Sequence, residues 1–337
     1  MTDASGNFSL WFEDNGLGTP AIVASKIGYR AVGYEYFEPE TPITIKIRNV
    51  NPPDNENYIY QDPGDGFDTM QENCSHCHSS FVQNFLTSKH SDSASNPLLH
   101  DLYAGTAHSF NEEDCSSIGG SWKLGLEPGT REEIFKCYVD SGVLSDLNPS
   151  CGSIDQLACD DPSLLPAEKP EEFGACADCH APAINGVAGD RDLLKAVGIE
   201  HDLGVHCDFC HKVQDVDLTQ PPGAGKRLKM GRPSEPGRNA FEWDPVYYGP
   251  IPDVPNVAMA GSFQPKFNES VFCAGCHEHQ QPSLIMEQDL DSNKWPNGID
   301  VQTTYSEWEE GPYNQEKTQC QFCHMPANTE LNNAVDI

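Results

Sequence analysis

Basic residues are scarce in this chain, and their scarcity limits its partners. The 337 residues include 20 lysines and arginines against 52 aspartates and glutamates, so the formal net charge is −32 at pH 7. A surface of this charge repels the phosphates of nucleic acids and the anionic head groups of lipids. We therefore expect neither nucleic acid nor an anionic membrane surface as a partner.

Long apolar runs are missing as well. No stretch approaches the roughly 18 consecutive apolar residues of a membrane-spanning helix. The chain does not begin with the basic and then apolar segment of a secretion signal. Apolar residues make up 37% of the chain, which also contains 26 prolines and 28 glycines. This composition favours a loop-rich protein without an integral membrane segment, whose interior is filled partly by something other than side chains.

Cysteine, in contrast, is abundant and regularly spaced. Ten of the 14 cysteines fall into five copies of the pattern Cys-x-x-Cys-His, here called motifs 1 to 5 in chain order. Their cysteine pairs are Cys74 and Cys77, Cys176 and Cys179, Cys207 and Cys210, Cys273 and Cys276, and Cys320 and Cys323. The histidines that follow directly are His78, His180, His211, His277 and His324. Chance predicts far less than one copy in a chain of this composition.

The pattern is typical of covalent attachment of c-type haem. Two thiols three positions apart can form thioethers with the two vinyl groups of one haem, and the adjacent histidine then reaches the iron from the proximal side. A zinc site and a redox-active dithiol are the alternatives. A zinc site is expected to pair two Cys-x-x-Cys units around one ion, whereas here every copy has its own histidine. The sequence therefore predicts five haem c groups.

The remaining histidines are candidates for the sixth coordination position of the irons, opposite the motif histidine. They are His76, His90, His100, His108, His201, His206 and His279. Seven candidates for five irons make bis-histidine ligation easy to satisfy. Methionine is the alternative distal ligand, and Met70, Met230, Met259, Met286 and Met325 are available.

Position in the sequence ranks these histidines. His90 ends a predicted helix over 79–90 and is free to approach an iron, so we expect it to be a distal ligand. His206 directly precedes motif 3 and His201 lies close to it, so we expect both to bind irons other than that of motif 3. His76 and His279 lie inside or just behind a motif and are the least suitable.

Four cysteines lie outside the motifs, all between motifs 1 and 2. An even number predicts two disulfides, and we expect Cys115 to pair with Cys137 and Cys151 with Cys159. Free buried thiols are the alternative. Disulfides and thioether-bound haem both belong outside the cytoplasm. We therefore expect an extracellular or cell-surface location, with the periplasm as the alternative.

The first 50 residues have a different pattern. Short strands are predicted over residues 7–12, 21–25, 31–37 and 43–47. Residues 2–10 and 26–29 resemble the carboxypeptidase-regulatory-like domain, a transthyretin-like β-sandwich. Members of that family have further strands before the turn at which this chain begins. We therefore expect those strands and an export signal upstream of Met1, or else a strand that a neighbouring molecule donates.

Turn-forming residues separate this region from the motifs. Residues 51–66 are rich in proline, asparagine, aspartate and glycine and predict a linker between a β-domain at 1–50 and a haem domain at 67–337. Apolar spacing predicts helices over 79–90 and 193–197. Residues 304–307 have the form of a capping box and predict a helix that Gly311 and Pro312 end. The expected fold is a loop-rich multihaem cytochrome c with short α-helices around a stacked haem core.

Around the motifs the chain resembles multihaem c-type cytochromes, which include the extracellular cytochrome filaments, or nanowires, of metal-reducing bacteria and certain archaea. The similar segments are 73–78, 88–90, 176–182, 204–212, 272–278, 304–308 and 320–326. The resemblance implies electron transfer along closely spaced haems. It also implies polymerisation, in which a neighbouring copy supplies some distal histidines. Many relatives have four haems, and the β-domain is a further departure.

Two classes of function are open. If all irons have six ligands, no substrate reaches them and the protein is an electron carrier, either in an extracellular homopolymer or as a monomeric periplasmic shuttle between redox partners. If one iron is open, the protein is an oxidoreductase for nitrite, hydroxylamine or a sulfur compound. The surplus of histidines favours the carrier, as does the lack of a Cys-x-x-Cys-Lys variant.

Two weaker patterns remain. A basic cluster consists of Lys226, Arg227, Lys229, Arg232 and Arg238, which either pairs with haem propionates or an acidic neighbour, or lies on a solvated loop. Residues 62–68 are acidic and could bind Ca²⁺, although the full EF-hand pattern is absent.

Overall fold

A computed structural model describes most of the chain. The described residues are 3–10, 22–34, 42–50, 53–64, 73–107, 111–139, 175–186, 188, 191–233, 246–252, 260–281, 291, 293–296 and 298–326. Several predictions fall outside them, namely those for His108, Cys151, Cys159, Arg238, Met70, Met259 and Met286.

The helices are short. They are α1 Ser75–Leu86, α2 Pro97–Ala104, α3 Glu112–Ser117, α4 Ala175–His180, α5 Ile199–Asp202, α6 Cys207–Cys210, α7 Ala224–Arg227, α8 Thr304–Glu310, α9 Pro312–Gln315 and α10 Cys320–His324. Within the described ranges, three 3₁₀ helices span Leu193–Lys195, Pro265–Asn268 and Ser270–Gly275. Each motif overlaps one of these helices: motifs 2, 3 and 5 lie on α4, α6 and α10, motif 1 lies at the start of α1, and motif 4 lies at the end of the 3₁₀ helix Ser270–Gly275. Because residues three apart lie on the same face of a helix, this conformation turns the two cysteines of a motif to one side.

The strands form small sheets. They are β1 Ile22–Lys26, β2 Tyr29–Tyr34, β3 Thr106–Ala107, β4 Ser121–Leu126, β5 Glu133–Tyr138, β6 Val213–Val216, β7 Leu228–Met230, β8 Tyr247–Gly249, β9 Gly261–Phe263, β10 His279–Gln281 and β11 Ile299–Gln302. The sheet orders are β1-β2-β9-β8, β3-β5-β4, β6-β7 and β10-β11. Most neighbours are antiparallel, whereas β8 and β9 run parallel.

The N-terminal strands share a sheet with a distant part of the chain. β1 and β2 correspond to the strands predicted over 21–25 and 31–37 and form a hairpin, with Gly28 in the left-handed region at φ 76° in its turn. Arg30 of β2 pairs with Ser262 of β9. The predicted strand over 43–47 is absent, although its isoleucines alternate with exposed residues as expected. Hydrogen bonds to β2 begin only at Arg48, whose carbonyl accepts from the Arg30 N–H.

The predicted linker is packed against the rest of the protein in its described part. Tyr60 is 5% exposed and belongs to an apolar cluster with Phe209 and Val213. Asp54 forms an ion pair with Arg232 at 2.6 Å. Prolines and asparagines prevent a regular element here, but they do not prevent aromatic side chains from packing.

Two helix predictions differ from the structure. α1 ends at Leu86 rather than at 90, and Ser91 bonds back through its hydroxyl to the Leu86 carbonyl at 3.2 Å. The helix predicted over 193–197 is a single 3₁₀ turn, because Ala196 takes an extended conformation. α8 begins and ends as predicted, although no side chain caps its N-terminal N–H groups.

The apolar core is divided, and motif residues contribute to it. One cluster combines Tyr103 and Leu193 with Ala177 and Ala181, from and just after motif 2. A second surrounds Phe209 of motif 3. Motifs 2 and 3 are therefore part of the interior rather than additions to a separate core.

The predicted disulfide between Cys115 and Cys137 is confirmed. It joins α3 to β5, with the two Cα atoms 5.5 Å apart. Gly120 packs against the bridge so closely that an added Cβ would lie 2.7 Å from the Cys137 sulfur. The bridge thus anchors the β4-β5 hairpin to the helix before it.

Replacing both Cys115 and Cys137 with serine should lower the free energy of unfolding by about 3 kcal/mol, because the unfolded chain loses a cross-link across 22 residues. Guanidinium unfolding of the two proteins measures the difference. A phosphine reductant should lower the stability of the wild type by at least as much, because it opens this bridge and also the disulfide expected between Cys151 and Cys159. Equal stability of the two proteins would contradict a structural role for the bridge.

Candidate haem-binding site

The ten motif cysteines are all free thiols in the structure. Most are half-buried, whereas Cys77 of motif 1 and Cys323 of motif 5 are exposed. Each pair lies on or beside one helical turn, as thioether bonds to one haem require. The contacts of the cysteines and histidines then decide whether the surrounding residues fit a haem group.

Motifs 1, 3 and 4 lie next to one another. Burial raises the pKa of Cys74 to about 12, and the neighbouring Cys207 adds to the shift. Burial likewise raises the pKa of Cys210 to about 12, with a contribution from Cys273. Motif 3 therefore lies between motif 1 and motif 4.

Motif 4 also meets motifs 2 and 5. The Cys179 thiol lies 4.0 Å from the Cys276 carbonyl oxygen, and a hydrogen bond with Cys179 raises the pKa of Cys276 well above its usual value. Burial raises the pKa of Cys273 to about 12, and Cys320 adds to the shift. All five motifs are thus linked, with motif 4 at the branch. The raised pKa values keep the thiols of Cys74, Cys210, Cys273 and Cys276 uncharged at pH 7, and a thioether at the same place is uncharged too.

Two motif histidines are oriented by backbone carbonyls. Nδ1–H of His211 donates to the carbonyl oxygen of Tyr248 at 2.6 Å, and Nδ1–H of His180 donates to that of Ser93 at 3.2 Å. A carbonyl only accepts, so the proton is on Nδ1 and Nε2 is free to bind a metal. Metal-binding histidines typically hold their other nitrogen in this way.

His277 of motif 4 faces His90. Their ring centroids are 6.1 Å apart. Two imidazoles that bind one metal from opposite sides, with metal–nitrogen bonds of about 2 Å, have centroids roughly 6 Å apart. The Gln302 side-chain amide lies 3.1 Å from His277 Nδ1, and burial lowers the pKa of His277. The spacing of the pair therefore matches a proximal and a distal ligand of one iron.

His206 is fully buried, at 0% exposure. Neither of its ring nitrogens has a hydrogen-bond partner among the described residues, and the ring meets Tyr60 edge-on. Burial lowers the pKa of His206 to about 4, so the imidazole is neutral. An unpaired buried nitrogen costs about 1–3 kcal/mol. A bound metal removes this cost, so His206 fits the role of an axial ligand.

The other predicted distal ligands have different surroundings. His100 and His201 face each other, with ring centroids 5.9 Å apart. His279 is half-buried in β10 and its Nδ1 has no partner in the described part of the chain. His76 lies within α1. Of the methionines, Met230 packs in the cluster of Phe209, and Met325 is 67% exposed.

A buried lysine next to motif 3 was not predicted. Lys212 is 0% exposed and pairs with Asp208, the residue after the first cysteine of the motif, at 2.5 Å. The Tyr58 hydroxyl donates to the second oxygen of Asp208 at 3.0 Å. The ammonium lies 3.7 Å from the centre of the Tyr247 ring. The aspartate inside the Cys-x-x-Cys loop is the signal that could have revealed this pair.

Motif 2 carries the same arrangement. Asp178 lies between its two cysteines and pairs with Arg191, and both are buried. Arg191 also donates to the carbonyl of Pro182 at 2.6 Å. In both motifs a carboxylate inside the loop ties the loop to a buried cation.

The described part of the basic cluster is divided, because Lys226 and Lys229 are exposed to solvent and the two arginines are not. Arg227 and Arg232 are buried. Arg227 donates to the carbonyl oxygen of Ala274 in motif 4 at 3.3 Å, whereas Arg232 pairs with Asp54. Of the predicted Ca²⁺ segment, Asp62 accepts from the Gly64 N–H at 2.8 Å. Within the described ranges no three histidine, cysteine or acidic side chains come together as a metal site.

Comparisons with known proteins add no relatives. No protein-family model, curated protein or solved structure matches this chain. Among the described residues, no helix combines the length and apolar character needed to cross a membrane.

Breaking the buried ion pair between Lys212 and Asp208 should strongly lower the free energy of unfolding. We expect Lys212→Met to lower the free energy of unfolding by roughly 3–5 kcal/mol, because Asp208 is left charged and buried without its cation. Lys212→Met combined with Asp208→Leu should recover much of this loss. Denaturant unfolding measures all three proteins.

Lys89→Met is the matched control, because Lys89 pairs with Asp92 at the surface with its side chain 94% exposed. Exposed ion pairs contribute little to stability, so this change should hardly alter the free energy of unfolding. A similar loss from both lysine variants would show that burial of the Lys212 pair is unimportant.

Proposed function

We propose that this protein carries electrons through five covalently bound haem c groups. The proposal rests on one observation above all, namely that the five Cys-x-x-Cys-His turns lie near one another in a single linked cluster. Haem iron, when bound, supplies reversible one-electron chemistry. The ten motif cysteines would hold the groups, and the histidines that follow them would be the proximal ligands.

Two distal ligands follow from the contacts of the described residues. His90 would serve the iron of motif 4, since it faces His277 at 6.1 Å between centroids. His206 would serve an iron other than that of motif 3, because it directly precedes Cys207 and its ring is buried against Tyr60. The neutral state of the buried His206 imidazole supports this role.

Motif 5 supports self-association. His324 and Cys323 are exposed, and so are two apolar neighbours, Phe322 at 75% and Met325 at 67%. A ligand from another copy of the chain would complete this site while covering the apolar side chains. We propose a homopolymer for extracellular electron transport on this basis. The disulfide between Cys115 and Cys137 supports a location outside the cytoplasm.

The same exposure favours the alternative function. A small molecule such as nitrite or hydroxylamine could reach an iron at motif 5 if no other copy covers it. The protein would then be an oxidoreductase with four electron-carrying haems and one open haem. A monomeric periplasmic shuttle is the form of the carrier that would need no such contact.

His90→Ala should convert one of the five haems from low-spin to high-spin, because the iron of motif 4 loses its sixth ligand. Electron paramagnetic resonance and absorption spectra of the oxidised protein measure the loss, expected at about one fifth of the low-spin signal if five haems contribute equally. Lys89→Ala, one residue earlier and exposed, is the control. An unchanged spectrum for His90→Ala would contradict the assignment of His90.

Phe322→Asp should weaken assembly, because it places a charge on the exposed apolar patch of a chain that is already strongly acidic. Size-exclusion chromatography and electron microscopy compare the variant with the wild type. Leu98→Asp, at another exposed apolar position on α2, is the matched control. Discrete wild-type monomers at high concentration would overturn the polymer and favour the shuttle, or the enzyme if nitrite alters the spectrum.

A further inference from the structure

His100 and His201 form a pair outside the five motifs. His100 lies on α2 and is 3% exposed, whereas His201 lies on α5 and is half-buried. Their ring centroids are 5.9 Å apart, with an angle of 37° between the ring planes. Imidazoles that share one metal ion through bonds of about 2 Å have centroids roughly 5 to 6 Å apart, depending on the nitrogen–metal–nitrogen angle.

Each ring has one nitrogen fixed and one left over. Nε2–H of His100 donates to the Ala94 carbonyl at 2.6 Å, and its buried Nδ1 has no partner among the described residues. Nδ1–H of His201 donates to the Asp202 carboxylate at 2.8 Å, which leaves Nε2 for a ligand. A histidine that binds a metal typically gives its other N–H to a carbonyl or a carboxylate in this way.

The backbone also restricts the His201 ring. Gly129 has a φ of 83°, and a Cβ added there would lie 2.6 Å from His201 Nδ1. The ring is therefore held between Gly129 and Asp202. Little rotation is left to it, so its free nitrogen has a defined direction before any ligand binds.

The pair lines a cavity of about 370 Å³ between α2, α5 and the β4-β5 hairpin. Asp101, Glu127 and Lys136 line the same cavity, together with Trp122. The carboxylates can bind water that completes a coordination sphere. The Lys136 charge acts against a cation, so its removal should be informative.

We propose that His100 and His201 bind a divalent transition-metal ion, of the kind that prefers imidazole, such as Zn²⁺ or Cu²⁺. This centre is separate from the haems and goes beyond the proposed electron transfer. It assigns the two histidines to each other, whereas the sequence suggested them as distal haem ligands. Water completes the coordination, because no third histidine, cysteine or acidic side chain of the described residues joins the pair.

Calorimetric titration of the haem-loaded protein with Zn²⁺, after treatment with a chelator, tests the site. The wild type should bind one ion that both His100→Ala and His201→Ala fail to bind. Asp202→Asn should weaken binding by roughly 10- to 100-fold, because the Nδ1–H of His201 loses its charged partner. The absorption spectrum of the haems should stay unchanged in all three variants and also reports that they are folded.

Lys136→Gln tests whether the ligand of the site is a cation or an anion. It should tighten Zn²⁺ binding, whereas Lys89→Gln, at an exposed lysine that pairs with Asp92 and does not line the cavity, should leave it unchanged. The proposal is overturned if the histidine variants bind Zn²⁺ as the wild type does, or if they lose low-spin haem signal, which would make them haem ligands. Neither result depends on whether the five haems transfer electrons.

Discussion

A buried motif histidine needs a partner for its Nδ1–H, and this single requirement ties the motifs to distant parts of the chain. His211 finds its partner in the carbonyl of Tyr248, 37 residues later, and His180 finds its own in Ser93, 87 residues earlier. Without these bonds each ring would be both unsatisfied and free to turn. The position of the Nε2 atoms therefore depends on segments that carry no motif.

These partner segments are themselves held by the rest of the fold. Tyr248 lies in β8, in the sheet that includes the N-terminal hairpin, and its hydroxyl donates to the Val50 carbonyl at 3.2 Å. Ser93 lies in the turns after α1 and donates its hydroxyl back to the His180 carbonyl at 2.8 Å. The N-terminal region is in this way connected to the motifs rather than appended to them.

The charges in the interior differ from the overall charge of the chain. The chain carries a net charge of −32, yet Lys212 and Arg191 are buried beside motifs 3 and 2. Both are paired with an aspartate inside a motif, so the interior gains fixed dipoles without an isolated charge. Buried charge and hydrogen bonding near haem influence its reduction potential. The two pairs are thus suited to give haems at motifs 2 and 3 reduction potentials that differ from those at the other three motifs.

Local patterns in the sequence predicted the features that depend on residues close together in the chain. The Cys115–Cys137 bridge, the β1-β2 hairpin and the helix ending at Glu310 all follow from short-range signals such as spacing and glycine. Other features depend on residues far apart in the chain. They are the contact between His90 and His277, the burial of Lys212 and the packing of Tyr60. No periodicity within one segment encodes such contacts, and the short apolar segment at 193–197 could not distinguish an α-helix from a 3₁₀ turn.

The central claim is that all five motifs hold covalent haem. The most direct measurement is the intact mass of the native protein, unfolded in acid so that only covalently attached groups remain. The account predicts the mass of the polypeptide plus five haems, with all ten motif cysteines inaccessible to a thiol-alkylating reagent. A mass that corresponds to four haems or fewer, or alkylation of any motif cysteine, would contradict it.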